Sequence, residues 1–206
     1  MKEIYWQLKN AFVGAPKPED FERIERKLPD LQDGHVTIEA MYLSPDPYQK
    51  LFSGALQTPC TMMGTLVAKI IRSKNDKYPE GSLVTSNHGW VLRANVNPEE
   101  CFLHAVANFE LIQGDFIENP SFFLGLYGLT GLTAYFALLE LCKPKNGEVL
   151  FVNSAAGAVG HIVAQIGKIL GCTVVGTAGT DNKVKWLKEQ LKMDFAYNYK
   201  KVIFDI

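Results

Sequence analysis

"FVNSAAGAVGHIVAQIGKILGCTVVGT", Phe151 to Thr177, decides the fold of this chain. It reads as an apolar strand, a turn of small residues, a helix and a second apolar strand. The turn carries Ala155, Gly157 and Gly160 where a dinucleotide fingerprint has three glycines. In that fingerprint the middle glycine lets the backbone approach a pyrophosphate, and the last lets the helix pack closely on the strand. The helix N-terminus then offers free amides and a partial positive charge to the phosphates. Gly157 and Gly160 fill the second and third roles, and Ala155 relaxes the tight first position. The strand before and the helix after supply the context such a turn needs. The competing reading is that these small residues only let helix and sheet pack closely.

The pattern continues on both sides. "GLTAYFALLELC" is helical from about Leu132, and "KPKNGE" breaks it. A second helix is expected at roughly Asp181 to Leu191 and a third strand at "FAYNY". Strand, helix, strand, helix, strand at this spacing predicts a parallel doubly wound sheet. Before about Ile117 the chain is different: short apolar runs are separated by Gly, Pro, Asn and Asp. "HVTIEAMYLS" (35–44), "MGTLVAKIIRS" (63–73) and "GSLVTSN" (81–87) read as strands, with "PEGS" as a turn. They predict an antiparallel, barrel-like β domain. The fold class is therefore α/β: an N-terminal β domain over 1–120 and a partial Rossmann domain over 121–206.

The end of the second strand bears on the cofactor. NAD sites place an acid there to bond the adenine ribose. This chain has "TAGTDNK". Ala178, Gly179 and Thr180 are small and neutral, leaving room for an extra phosphate, and Lys183 supplies its countercharge. That favours NADP over NAD. Asp181 is read as the N-cap of the next helix, with the ribose acid as the alternative.

Composition narrows the rest. With 206 residues, 47% hydrophobic and 21% charged, the chain has the make-up of a globular protein. A net charge of -1 gives no electrostatic reason to expect nucleic acid or an anionic membrane. No apolar run approaches the roughly 20 residues of a membrane span, and the N-terminus is unlike a signal peptide, so cytoplasm is the default. Cys60, Cys101, Cys142 and Cys172 lie far apart, form no C-x-x-C pair, and are read as reduced, mostly packed thiols. His35, His88, His104 and His161 have no ligand-like spacing, so no metal site is expected.

Six stretches in order carry a resemblance over almost the whole chain: "DPYQK" (46–50), "TMMG" (61–64), "GLTAYFALLE" (131–140), "AAGAVG" (155–160), "GTDNKV" (179–184) and "NYK" (198–200). On these the chain resembles the zinc-independent branch of the medium-chain dehydrogenase/reductase superfamily. "SPDPYQK" lacks the cysteine, and "TMMGT" the histidine, that zinc-dependent relatives use. The resemblance implies a GroES-like β domain followed by the Rossmann domain, and NADP(H) as cofactor. It also implies reduction of the C=C bond of α,β-unsaturated aldehydes and ketones, 15-oxo-prostaglandins among them. Hydride goes to the β-carbon, and the charge that develops on the carbonyl oxygen is stabilised by hydrogen-bond donors. On the same ground Thr133 touches the cofactor, Gly157, Ala158, Val159 and Gly160 form the pyrophosphate turn, and Lys183 and Tyr199 hold the 2′-phosphate. Tyr48 lies beside nicotinamide and substrate as the catalytic candidate, or merely fixes its loop.

A complete Rossmann sheet has about six strands, whereas this chain offers three and a fourth candidate in "VIFDI". By resemblance it is truncated at its C-terminus, and the family's homodimer contact lies in the missing part. Three functional readings stay open: the NADPH-dependent enone reductase, a zinc-independent quinone reductase, and an inactive short form that binds nucleotide weakly or only a partner chain.

Overall fold

The structure is a computed structural model and describes residues 1–100 and 109–202. The chain forms two compact units, Met1–Leu124 and Gly125–Ile206. Cys101, His104 and the last four residues of "VIFDI" lie outside the described residues.

The first unit contains strands β1 (Lys2–Leu8), β2 (Phe21–Lys27) and β3 (Val36–Leu43), helix α1 (Pro47–Phe52), and strands β4 (Cys60–Thr61), β5 (Leu66–Ser73), β6 (Leu83–Ser86), β7 (Val91–Val96) and β8 (Glu110–Ile112). The strands make one antiparallel sheet in the order β2-β1-β7-β3-β5-β6-β8, with β4 also paired to β1. Val36 and Ile38 of β3 and Leu66, Ala68 and Ile70 of β5 are fully buried on one face, and Thr37 and Val67 between them are buried on the other. They form one core with Val84, Ala94, Val96, Tyr78 and Phe109. Among the described residues, the buried side chains of this core come from strands and loops. Tyr78 brings its hydroxyl inside and donates it to the Phe109 carbonyl at 3.0 Å. The strand read from Met63 starts at Leu66, because Gly64 is committed to a turn whose carbonyl accepts the Gly89 amide. "PEGS" turns as expected, with Gly81 at φ 87°.

The second unit runs α2 (Leu129–Tyr135), which passes into a π-helical turn over Phe136–Cys142, then β9 (Val149–Val152), α3 (Gly160–Ile169), β10 (Thr173–Ala178), α4 (Asp181–Glu189) and β11 (Phe195–Asn198). α2 starts three residues before the expected Leu132. Its first turn bends back so closely that a Cβ on Gly131 would sit 1.7 Å from the Leu126 carbonyl oxygen, so the glycines in "LYGLTGLT" permit the turn rather than break the helix. Strands β11, β10 and β9 pair in parallel in that order. Val152, Ala155, Ala164, Val174, Leu187, Met193 and Ala196 form the core beneath the two helices. Gly167 lies where α3 meets the sheet: a Cβ there would come within 2.4 Å of Leu150. This is the α/β arrangement expected of the second domain.

Candidate functional site

The turn after β9 is built by backbone bonds. The Ala155 amide donates to the Thr177 carbonyl at 2.9 Å, holding the turn to the end of β10. Ser154 adopts φ 47°, a left-handed conformation uncommon for a non-glycine residue, and its carbonyl turns back to accept the Gly157 amide at 2.8 Å. Gly160 opens α3 directly under that carbonyl: a Cβ there would stand 2.5 Å from the Ser154 oxygen. Gly157 is exposed, and a Cβ on it would touch only the Ser154 oxygen at 3.1 Å. Among the described residues, no backbone carbonyl accepts the amides of Ala158, Val159 or Gly160. Three free donors at the start of a ten-residue helix form a cradle whose chemistry suits a phosphate. Ala155 is fully buried and packs inward, so its methyl takes no space from the cradle.

Lys183 and Tyr199 meet at the neighbouring strand ends. Thr180, extended at φ −145°, caps α4 by accepting the Lys183 amide on its hydroxyl at 3.3 Å. This corrects the expectation that Asp181 is the cap. Asp181 is the first helical residue, and its carboxylate accepts from Asn198 at 2.7 Å and pairs with Lys201. Those two donors, Asn198 first, hold its carboxyl below the usual carboxylate range. The Lys183 side chain is exposed on the first turn of α4, and none of the ion pairs among the described residues includes it. The Tyr199 amide donates to the Ala178 carbonyl at 3.2 Å, which brings the phenol over Gly179; a Cβ on Gly179 would lie 3.3 Å from the hydroxyl. The cradle, Lys183 and Tyr199 thus share the carboxyl-terminal edge of the parallel strands, where open α/β sheets bind ligands. Thr133 is exposed on α2, and its hydroxyl donates to the Leu129 carbonyl at 2.6 Å.

Tyr48 belongs to the first unit. Its half-buried ring packs against the Leu8–Met62–Met63 cluster, 6.5 Å from Phe52. Burial, opposed by the Thr65 hydroxyl, pushes its phenol up from the ordinary value, so it is a neutral donor near pH 7. The residue that fixes this loop is Gln49, 5% exposed. Its amide donates to the Ser44 and Met63 carbonyls at 3.0 and 3.1 Å and accepts the Asp46 amide at 3.0 Å. One side chain therefore ties "DPYQK" to "TMMG". Gly64 leaves room for it, since a Cβ there would lie 2.8 Å from Gln49 and 2.7 Å from Trp90. The sequence reading missed Gln49, although Asp and Gln three apart before an apolar run is a capping signal.

The other candidates are ordinary in their surroundings. His88 accepts from the Ser86 hydroxyl at 2.7 Å and donates to the Asn97 carbonyl at 3.0 Å. His35 and His161 each lie within 3.1 Å of a backbone carbonyl. Cys172 is buried and Cys60 half-buried, but Cys142 is exposed rather than packed; all three are free thiols. Among the described residues no three His, Cys, Asp or Glu side chains are grouped to hold a metal, and no helix is long and apolar enough to cross a membrane.

Comparison with known proteins agrees with this architecture. Residues 5–103 match a family described as the N-terminal domain of oxidoreductase. The chain is 45% identical over 96% of its length to prostaglandin reductase 1 of Bos taurus, covering 58% of that protein. It is 37% identical over 94% of its length to an NADP(+)-dependent 2-alkenal reductase of Nicotiana tabacum, covering 57%. The crystal structure of CurA from Vibrio vulnificus in complex with NADPH superposes with a TM-score of 0.84 at 30% identity, over 97% of this chain and 58% of that one. The chain spans somewhat more than half the length of the relatives it matches.

Proposed function

We infer that this chain, a homologue of prostaglandin reductase 1, acts in the NADPH-dependent reduction of the C=C bond of α,β-unsaturated aldehydes and ketones, 15-oxo-prostaglandins included. The observation that carries the reading is the phosphate cradle after β9 set beside Lys183 and Tyr199. Residues 1–120 are assigned as the GroES-like catalytic domain and 121–206 as the partial NADP-binding Rossmann domain.

The residues fit the cofactor by their chemistry. The free amides of Ala158, Val159 and Gly160, with the open backbone at Gly157, suit a pyrophosphate. The Lys183 ammonium and the Tyr199 hydroxyl suit a 2′-phosphate, and no free carboxylate competes at the end of β10. Thr133 is assigned as a further cofactor contact. Bound NADPH supplies the hydride. The protein's part is to hold donor and acceptor together and to offer a donor where negative charge develops on the substrate oxygen. Tyr48, neutral and held by the Gln49 staple, is assigned to that role. The reading needs no zinc. A cytoplasmic location and a small-molecule enone or enal substrate, with no nucleic acid or membrane partner, belong to the same proposal; the homodimer is assigned to the full-length family and not to this chain.

The test is incubation of the purified chain with NADPH and a 2-alkenal. NADPH loss that depends on the alkenal, with the saturated aldehyde as product, supports the reading. A folded chain that binds NADPH yet yields no saturated product rejects it.

A further inference from the structure

Asp181 carries a negative charge three residues beyond β10, in the region where dinucleotide folds read the adenine ribose. A free carboxylate there bonds ribose hydroxyls and repels a 2′-phosphate. In this chain it is not free. Asn198, the last residue of β11, lies in register with Ala178 and donates its side-chain amide to Asp181 at 2.7 Å. The chain then turns tightly. The Asn198 carbonyl accepts the amides of Lys201 and Val202 at 2.9 and 3.2 Å, and its side-chain oxygen accepts the Lys200 amide at 3.1 Å. That turn returns the Lys201 ammonium to the second Asp181 oxygen. Both oxygens of the carboxylate are occupied, and its charge is matched by a cation from β11's own turn. Lys183, two residues further along the first turn of α4, is left outside this network.

We propose that Asn198 and Lys201 form a latch that turns Asp181 toward β11 and neutralises it, and that this latch is a determinant of NADPH over NADH. They are positioning residues that act through Asp181. The proposal rests on the NADP(H) reading above. It assigns specificity to the removal of an acid from the ribose site as well as to the cations that replace it. The sequence signature is an Asp at the first position of the helix, with Asn-x-x-Lys closing the next strand.

The test is a double-mutant cycle on the full chain, with Kd for NADPH and for NADH read by tryptophan fluorescence and folding checked by circular dichroism. The wild type prefers NADPH. Asn198→Ala/Lys201→Ala lowers that preference by about threefold or more, the size expected of one released, partly screened charge. In an Asp181→Asn background the same pair of changes costs less than about half that factor. Lys201→Ala alone, at an exposed side chain, gives the same sign if the double variant does not fold. Equal losses in both backgrounds overturn the latch, because Lys201 would then act on the phosphate directly. A wild type without NADPH preference overturns the cofactor reading itself, and is seen before any substitution is made.

Discussion

A Cβ built on Gly176 would lie 2.8 Å from the Cβ of Ala155. The two residues share the space of one methyl group across the β9–β10 pair. The Ala155 side chain is fully buried there, and the missing side chain at 176 is what admits it. An alanine in the first glycine position of the turn is therefore accommodated by a glycine on the neighbouring strand. The phosphate-facing side, at Gly157, is left open.

Gly176→Ala forces that contact and also meets the Met193 methyl at 2.4 Å. Met193 can move; Ala155 is fixed by backbone bonds. A loss of about 1–3 kcal/mol in chemical denaturation is expected, as for other overpacked sites. Gly176→Ala combined with Ala155→Gly recovers much of it. Full loss in the double variant would mean that Met193, rather than Ala155, sets the limit.

Lys183→Glu puts a carboxylate on the first turn of α4, where the free ammonium stands. NADPH affinity falls by about tenfold or more and NADH affinity changes little, because only NADPH carries the 2′-phosphate. Isothermal titration with both nucleotides checks it, and equal losses remove Lys183 from the phosphate site.

Tyr48 and Gln49 separate chemistry from architecture. Tyr48→Phe keeps the ring against Met62 and Met63, so melting is nearly unchanged while kcat on an enone falls by about tenfold or more. Gln49→Ala strands the Asp46 amide and two carbonyls. It costs about 1–3 kcal/mol of stability whatever the substrate. A Tyr48→Phe chain with undiminished turnover would leave Tyr48 as a loop anchor.

His88 gives a pH signature. Burial pushes its imidazole below the ordinary 6.5, against the pull of the Asn97 carbonyl and Glu100. The unfolded chain therefore takes up this proton first on acidification. The contribution of His88 is fully present above about pH 6.5 and is lost as the pH falls toward its depressed folded value. Stability measured between pH 8 and 5 declines in wild type, and that part of the decline is absent in His88→Gln. The same slope in both would assign it to other groups.

Much of this architecture was legible in the sequence because its signals are local. The strand–turn–helix around Gly157 and Gly160 needs only near neighbours, and the apolar runs of β3 and β5 mark them as strands directly. What escaped depends on distant pairings. Ala155 cannot be read as compensated without knowing that Gly176 lies across from it. Asp181 looked like a cap because its spacing allows one, but Thr180 is already extended at the right point. The carboxylate was then free to be taken by Asn198 and Lys201, which only the β10–β11 register brings near. β1, β2 and β7 carry charged residues that hide the period, and the ladder that runs from β3 through β7 and β1 to β2 defines them.

The assignment of the phosphate cradle to NADP(H) is tested by titration of the purified chain with NADPH and with NADH, followed by tryptophan fluorescence; Trp186 lies on α4, one turn from Lys183. Saturable binding of both nucleotides with a clear preference for NADPH is expected. A cooperatively folded chain that binds neither, or binds both equally, would contradict it.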